Sequence, residues 1–210
     1  MRAITKGPEP RSLIKHRQNP ESNYDNYAKK DDLRHALVTE QHWLCCYCMS
    51  RIRKEPTTMT IEHWQCQAHH PSEQLNYRNL LGACLGGRGR PPRHQHCDTR
   101  KGNRELMWNP ADSAHRIETR VWYAVDGSIH ANDENFNDQL ESVLNLNLKV
   151  LKNNRKAVLD AVLAWWKRHR AVPRHRIEQK IEEFAPIDGQ LTPHCQVAIW
   201  LLKQKLTQKA

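Results

Sequence analysis

Residues 60–70 read TIEHWQCQAHH, and how they fold decides how the middle of the chain is read. The run TMTIEHW (58–64) carries Thr and Ile, residue types that suit a pleated, half-buried β-strand. That strand ends on a carboxylate and an imidazole side by side, Glu62 and His63. Such a pair serves either as a metal ligand beside a catalytic base or as two solvated residues on a strand edge. Its own neighbours do not choose between them, so the choice falls to the flanking sequence.

Upstream lies CCYC (45–48), in which Cys45 and Cys48 have the spacing that lets two thiolates of one turn grip a zinc ion. Cys84 and Cys97 bracket an Arg-rich loop and would complete a tetrahedral four-cysteine site, with Cys66 or His96 as substitute ligands. Cys46 should point away from a metal held by its neighbours, and Cys195 is remote, in the last helix. The blander alternative is a set of separate buried thiols. A closed four-thiolate site leaves no coordination position for water, so zinc here would be structural.

The total of seven cysteines is odd, which argues against a complete disulfide framework. The first twenty residues show neither a signal peptide nor an apolar run. Both features lead us to expect a cytoplasmic protein with reduced thiols and no membrane association. With 33 Lys+Arg against 23 Asp+Glu, the net charge is +10. That excess suits either plain solubility or a polyanionic partner, of which nucleic acid is the commonest.

Organisation along the chain follows from pattern breaks. Residues 1–29 read as an extended, Pro-broken arm. KKDDLRHALVTEQHWL (29–44) then predicts a helix capped by Asp31 or Asp32, with Leu33, Leu37 and Trp43 inward. GGRGRPPRHQHCDTRKGNR (86–104) begins as a loop, and a helix is predicted to start near Cys97 or Asp98. Alternation around Asp126-Gly127 signals a hairpin. From about 135 to 170, Leu140, Leu144, Leu148, Leu151, Leu159, Val162 and Trp166 recur at helical spacing, until Pro173 stops the pattern. Two shorter helices follow, in 175–184 and 193–206. We divide the chain into an N-terminal arm and helix (1–42), a cysteine-bounded module (43–110), and a hairpin with helices (111–210).

Taken together, IEHW (61–64), NLLGAC (79–84) and HCDTRKGN (96–103) resemble the three-part signature of HNH endonucleases. The resemblance covers about residues 43–105. It implies an α+β chain built on a ββα-metal (HNH) module with structural zinc. An N-terminal arm and helix and a helical C-terminal region would flank that module. It also implies Glu62 and Asp98 as ligands of Mg²⁺ or Mn²⁺, hard cations suited to oxygen donors. His63 would be the general base, Asn79 would hold it in orientation, and Arg100 and Lys101 would contact substrate phosphate. Arg88, Arg90 and Arg93 would grip substrate from the loop between the last two cysteines. Glu62 stands where Asp is more usual in this family, Asp98 where His or Asn is, and the insert between Cys84 and Cys97 is long.

Two further stretches, MRAITKGPEP (1–10) and LNLNLKVLKNNRKAVL (144–159), together with the HCDTRKGN form of the third motif, resemble the PtuB nucleases of Septu and retron-associated antiphage systems. That likeness implies a PtuA-like ATPase of the ABC or SMC type as partner, and in retron versions a reverse transcriptase with its RNA–DNA product. The chain has no G-x-x-x-x-G-K-[ST], so any nucleotide dependence would come from another polypeptide. The arm is a candidate docking segment. Ten Lys/Arg between Lys149 and Lys180, against two acids, form either a solvated helix face or an extended phosphate track, and one of Trp165 and Trp166 should face away from the core. DNA is the favoured substrate and RNA an allowed one. The rival is a non-catalytic zinc-stabilised module that binds nucleic acid or a partner, which would not need Glu62, His63, Asn79 and Asp98 in register.

Overall fold

The computed structural model describes residues 1–169 and 172–208, so Arg170 of the basic run lies outside the described residues. The described residues form a mixed α+β fold with eight α-helices and two two-stranded antiparallel sheets. The order is α1 (Arg11–Arg17), α2 (Lys30–Glu40), β1 (Met59–His63), β2 (Leu80–Cys84), α3 (Cys97–Lys101) and α4 (Ile117–Arg120). Then come β3 (Val121–Tyr123), β4 (Ile129–Ala131), α5 (Glu134–Ser142), α6 (Lys149–Arg168), α7 (Arg174–Glu182) and α8 (Cys195–Thr207). No helix among the described residues is long and apolar enough to cross a membrane.

β1 and β2 pair with Glu62 opposite Leu81 and His63 opposite Leu80. Gly82 allows the end of α2 to approach β2 closely, because a Cβ there would sit 3.2 Å from the Gln41 amide and 3.1 Å from Ile52. Gln41, itself buried, exploits this by accepting from Gly82 N–H at 2.6 Å and donating to its carbonyl at 2.7 Å. Asp31 and Asp32 lie in the first turn of α2, where they complement the helix dipole; neither side chain caps the helix.

The N-terminal segment departs from the extended arm that its sequence suggests. It lies against the body, with Leu13 of α1 and Tyr27 buried among Leu33, Leu37, Ile61 and Leu80. Lys6 reaches Glu40 and donates to the Leu80 carbonyl at 2.8 Å. Met1 is buried in the main core as well, so scattered apolar anchors and hydrogen bonds dock a stretch that has no period of its own.

The long helical pattern is also broken. α5 and α6 are separated by Val143–Leu148, where Asn145 takes a left-handed backbone (φ 49°). The break bends the chain under the cysteines. The Leu144 carbonyl accepts from Cys97 N–H at 2.9 Å, and the Asn145 side chain donates to the Gln95 carbonyl at 2.8 Å. Trp165 and Trp166 both pack at the edge of one cluster containing Val162, Ile177 and Leu202, contrary to the expectation that one would face away. Residues of the cysteine module and of α5, α6 and α8 share a single core, which runs from Cys45, Met59 and Leu81 to Phe136, Leu151 and Val197.

Candidate functional site

Cys45, Cys48, Cys84 and Cys97 are all buried, and their four sulfurs lie within 4.8 Å of one another. The Cys45–Cys97 and Cys48–Cys84 sulfur separations are 3.8 Å and 3.7 Å. A tetrahedral zinc with Zn–S bonds near 2.3 Å sets its sulfurs about 3.8 Å apart. Burial raises the Cys97 thiol pKa, and the hydrogen bonds it shares with Cys45, Cys48 and Cys84 raise it further. Four thiolates cannot share this space without a cation between them, so the donor set fits zinc. Cys46 is buried outside the set, and His96 stands behind it with Nδ1 3.2 Å from the Cys97 sulfur. Neither Cys66 nor His96 replaces a cysteine ligand.

Gly86 is what lets the chain leave this cluster and return. Its backbone is left-handed (φ +55°), and a Cβ would fall 1.9 Å from the His96 carbonyl oxygen. His96 N–H closes the base of the loop on the Gly86 carbonyl at 2.8 Å. Arg88, Arg90 and Arg93 stand exposed on this closed loop.

Next to the cysteines, Glu62, His63 and Asp98 line one cleft of about 250 Å³, together with Gln67 and Asn103. Glu62 and His63 are adjacent in β1 and both are buried, so the end of the strand brings both to this cleft. Glu62 is 2% exposed, accepts from Tyr47 Oη at 2.7 Å and pairs with Lys101 Nζ at 3.0 Å. Burial pushes its carboxyl well above the ordinary range, and the adjoining Asp98 carboxylate pushes it further, against the pull of Lys101. The Glu62 and Asp98 carboxylates thus stand together in the cleft as oxygen donors.

His63 is 8% exposed, and its Nε2 lies 3.0 Å from the Gln74 carbonyl oxygen. A carbonyl only accepts, so Nε2 carries the proton and Nδ1 keeps its lone pair. Burial lowers the imidazole pKa to about 4, which leaves it neutral at physiological pH. Tyr24 meets the ring edge-on at 4.5 Å between centroids, and the Gln67 amide nitrogen lies 3.2 Å from Nε2 and 3.4 Å from Nδ1.

Asn79 makes no hydrogen bond to His63 among the described residues. Its side chain clamps the loop that follows His63, accepting from Gln65 N–H at 2.7 Å and donating to the carbonyls of Gln65 (3.0 Å) and Glu73 (3.1 Å). Glu73 precedes Gln74, so Asn79 positions His63 through the backbone. Asn79→Ala removes three hydrogen bonds from a buried site and is expected to cost on the order of 3 kcal/mol. Urea unfolding measures this, and a loss below about 1 kcal/mol would remove the clamp from the account.

Lys101, expected on substrate phosphate, is instead 1% exposed, with Nζ on Glu62 and on the His63 carbonyl at 2.9 Å. A buried carboxylate requires such a partner, and α3 carries the lysine directly beneath it. Arg100 is partly exposed and leans toward the Pro92 carbonyl, whereas Arg155 of the basic run is buried on the carbonyls of Gly127 (2.6 Å) and Leu146 (2.7 Å), away from any phosphate track. Tyr47, Gln67 and Gln74 were not singled out from sequence. Only Tyr47 carried a signal, its place between two zinc-spaced cysteines.

No protein-family model matches the chain, and no curated protein matches it. The likeness to HNH endonucleases therefore rests on the sequence motifs.

Proposed function

We propose that the chain is a metal-dependent HNH endonuclease that hydrolyses phosphodiester bonds. The carrying observation is the convergence of Glu62, His63 and Asp98 on one cleft, beside a four-cysteine cluster and a loop bearing three exposed arginines. The order of a strand pair (β1, β2) followed by a short helix whose first turn bears Asp98 suits a ββα-metal module.

In this reading His63 takes a proton from water through Nδ1, and the Gln74 carbonyl holds the opposite edge of the ring. Tyr47 and Lys101 fix Glu62, and Asn79 fixes the loop that supplies Gln74. Glu62 and Asp98 would hold Mg²⁺ or Mn²⁺, which when bound stabilises charge on the scissile phosphate and the leaving oxygen. Arg100 and the loop arginines Arg88, Arg90 and Arg93 grip the strand.

The narrower likeness makes the chain the nuclease subunit of an antiphage complex with a PtuA-like ATPase, and in retron versions with a reverse transcriptase and its RNA–DNA product. DNA is the favoured substrate and RNA the alternative. The test is cleavage of labelled plasmid and of total host RNA by purified protein, with Mg²⁺ or Mn²⁺, with and without the ATPase. Metal-dependent cutting of either polymer supports the reading and names the substrate. No cutting of either, partner present, favours a zinc-stabilised binding module.

Exposed arginines on a closed loop give a second expectation. Replacing Arg88, Arg90 and Arg93 together with serine should flatten the plot of log affinity for duplex DNA against log salt by about 2–3, because each released phosphate contact contributes roughly 0.9. An unchanged slope would take the loop out of the binding surface.

A further inference from the structure

We propose a second metal site, for Zn²⁺, formed by Cys66, His69, His70 and Glu105 at the rim of the cleft. It ties the β1–β2 loop to the segment that follows α3. The ligand atoms of Cys66, His69 and Glu105 all lie within 4.8 Å of one another. Glu105 Oε1 is 3.5 Å from His69 Nδ1, 3.2 Å from His70 Nε2 and 4.0 Å from the Cys66 sulfur. Tetrahedral zinc with bonds of 2.0–2.3 Å holds its ligand atoms roughly 3.3–3.8 Å apart, so Cys66, His69 and Glu105 need little movement to share an ion, while His70 reaches the set through Glu105.

The backbone sets this up locally. The N–H groups of His69 and His70 both point at the Cys66 carbonyl, at 3.3 Å and 2.9 Å, and the turn folds both histidines back beside the cysteine. A surface His–Glu pair alone would be a weak, solvent-screened contact with no use for a thiol. Here the thiol is buried and faces the same carboxylate oxygen that both imidazoles approach. One thiolate, one or two imidazoles and a carboxylate form a borderline-soft set, which selects zinc over magnesium or calcium.

The site differs from the four-cysteine cluster in exposure. His69 and Glu105 are more than half exposed, so its zinc should exchange where the buried one does not. Cys66 and its neighbour Gln67 line the same cleft as Glu62, His63 and Asp98. Loading the rim would therefore fix the loop that carries the Gln67 contact to His63. The proposal concerns metal binding and stands whether or not the cleft cuts nucleic acid.

The test is zinc content of the whole protein after equilibrium dialysis against micromolar Zn²⁺, for wild type, Glu105→Gln and the double variant His69→Ala/Glu105→Gln. These positions are exposed, and circular dichroism checks that each variant folds. Wild type should hold about two zinc ions and the double variant about one, with Glu105→Gln losing its second ion to a mild chelator at lower chelator concentration than wild type. Replacing zinc by Co²⁺ should give thiolate charge-transfer absorption that falls in part when Cys66→Ser is introduced. One zinc in wild type, or two in the double variant, overturns the site.

Discussion

His63→Ala should lower the rate of metal-dependent cleavage by about 10²–10⁴-fold, with little change in KM for the nucleic acid. The imidazole is neutral, its Nε2 lies 3.0 Å from the Gln74 carbonyl oxygen, and the residue lines a cleft shared with Glu62 and Asp98. Under the proposed reading, a neutral ring held at one edge leaves the other nitrogen to accept a proton. His63 is the cleaner target of the neighbouring pair. Glu62→Gln would leave the Lys101 ammonium without its carboxylate in a site where both groups are at most 2% exposed. Breaking such a pair costs about 3–5 kcal/mol, so lost activity would be mixed with lost fold. A His63→Ala protein that melts near wild type yet cuts within threefold of its rate would sink the assignment.

Much of the site was legible because its residues sit at fixed offsets from punctuation the chain displays openly. The Thr/Ile run located β1, and Cys97 located the start of α3. Asp126-Gly127 located the β3–β4 turn. The four cysteines that spacing grouped are the four that cluster. What failed were readings that depend on partners distant in sequence. Lys101 reads as a surface lysine until Glu62 is found buried beside it. Arg155 reads as part of a basic track until the Gly127 and Leu146 carbonyls close on it. The helical period through 140–162 is real on both sides of Asn145, but a left-handed residue between them breaks the axis without disturbing the spacing. Cys66, His69 and His70 stand together in the sequence, yet nothing there places Glu105 against them.

Stripping zinc, or replacing Cys84 and Cys97 together by serine, should unfold the chain as one unit. Structural zinc sites contribute on the order of 10–16 kcal/mol, which is as large as the whole stability of an ordinary domain, about 5–15 kcal/mol. The four cysteines come from separate places, the turn before β1, the end of β2 and the start of α3, so an ion held by them would tie these segments together beyond their shared core. The consequence should not stop at the cysteine module. Cys97 N–H is held by the Leu144 carbonyl between α5 and α6, and Phe136, Leu151, Leu159 and Val197 share a core with the cysteines. Thermal melting and limited proteolysis of the zinc-free protein read this directly. Loss of protection throughout α5, α6 and α8 is the expected pattern. A protease-resistant fragment of residues 111–208 would show instead that the helical region folds alone and that zinc serves only the strands beside it.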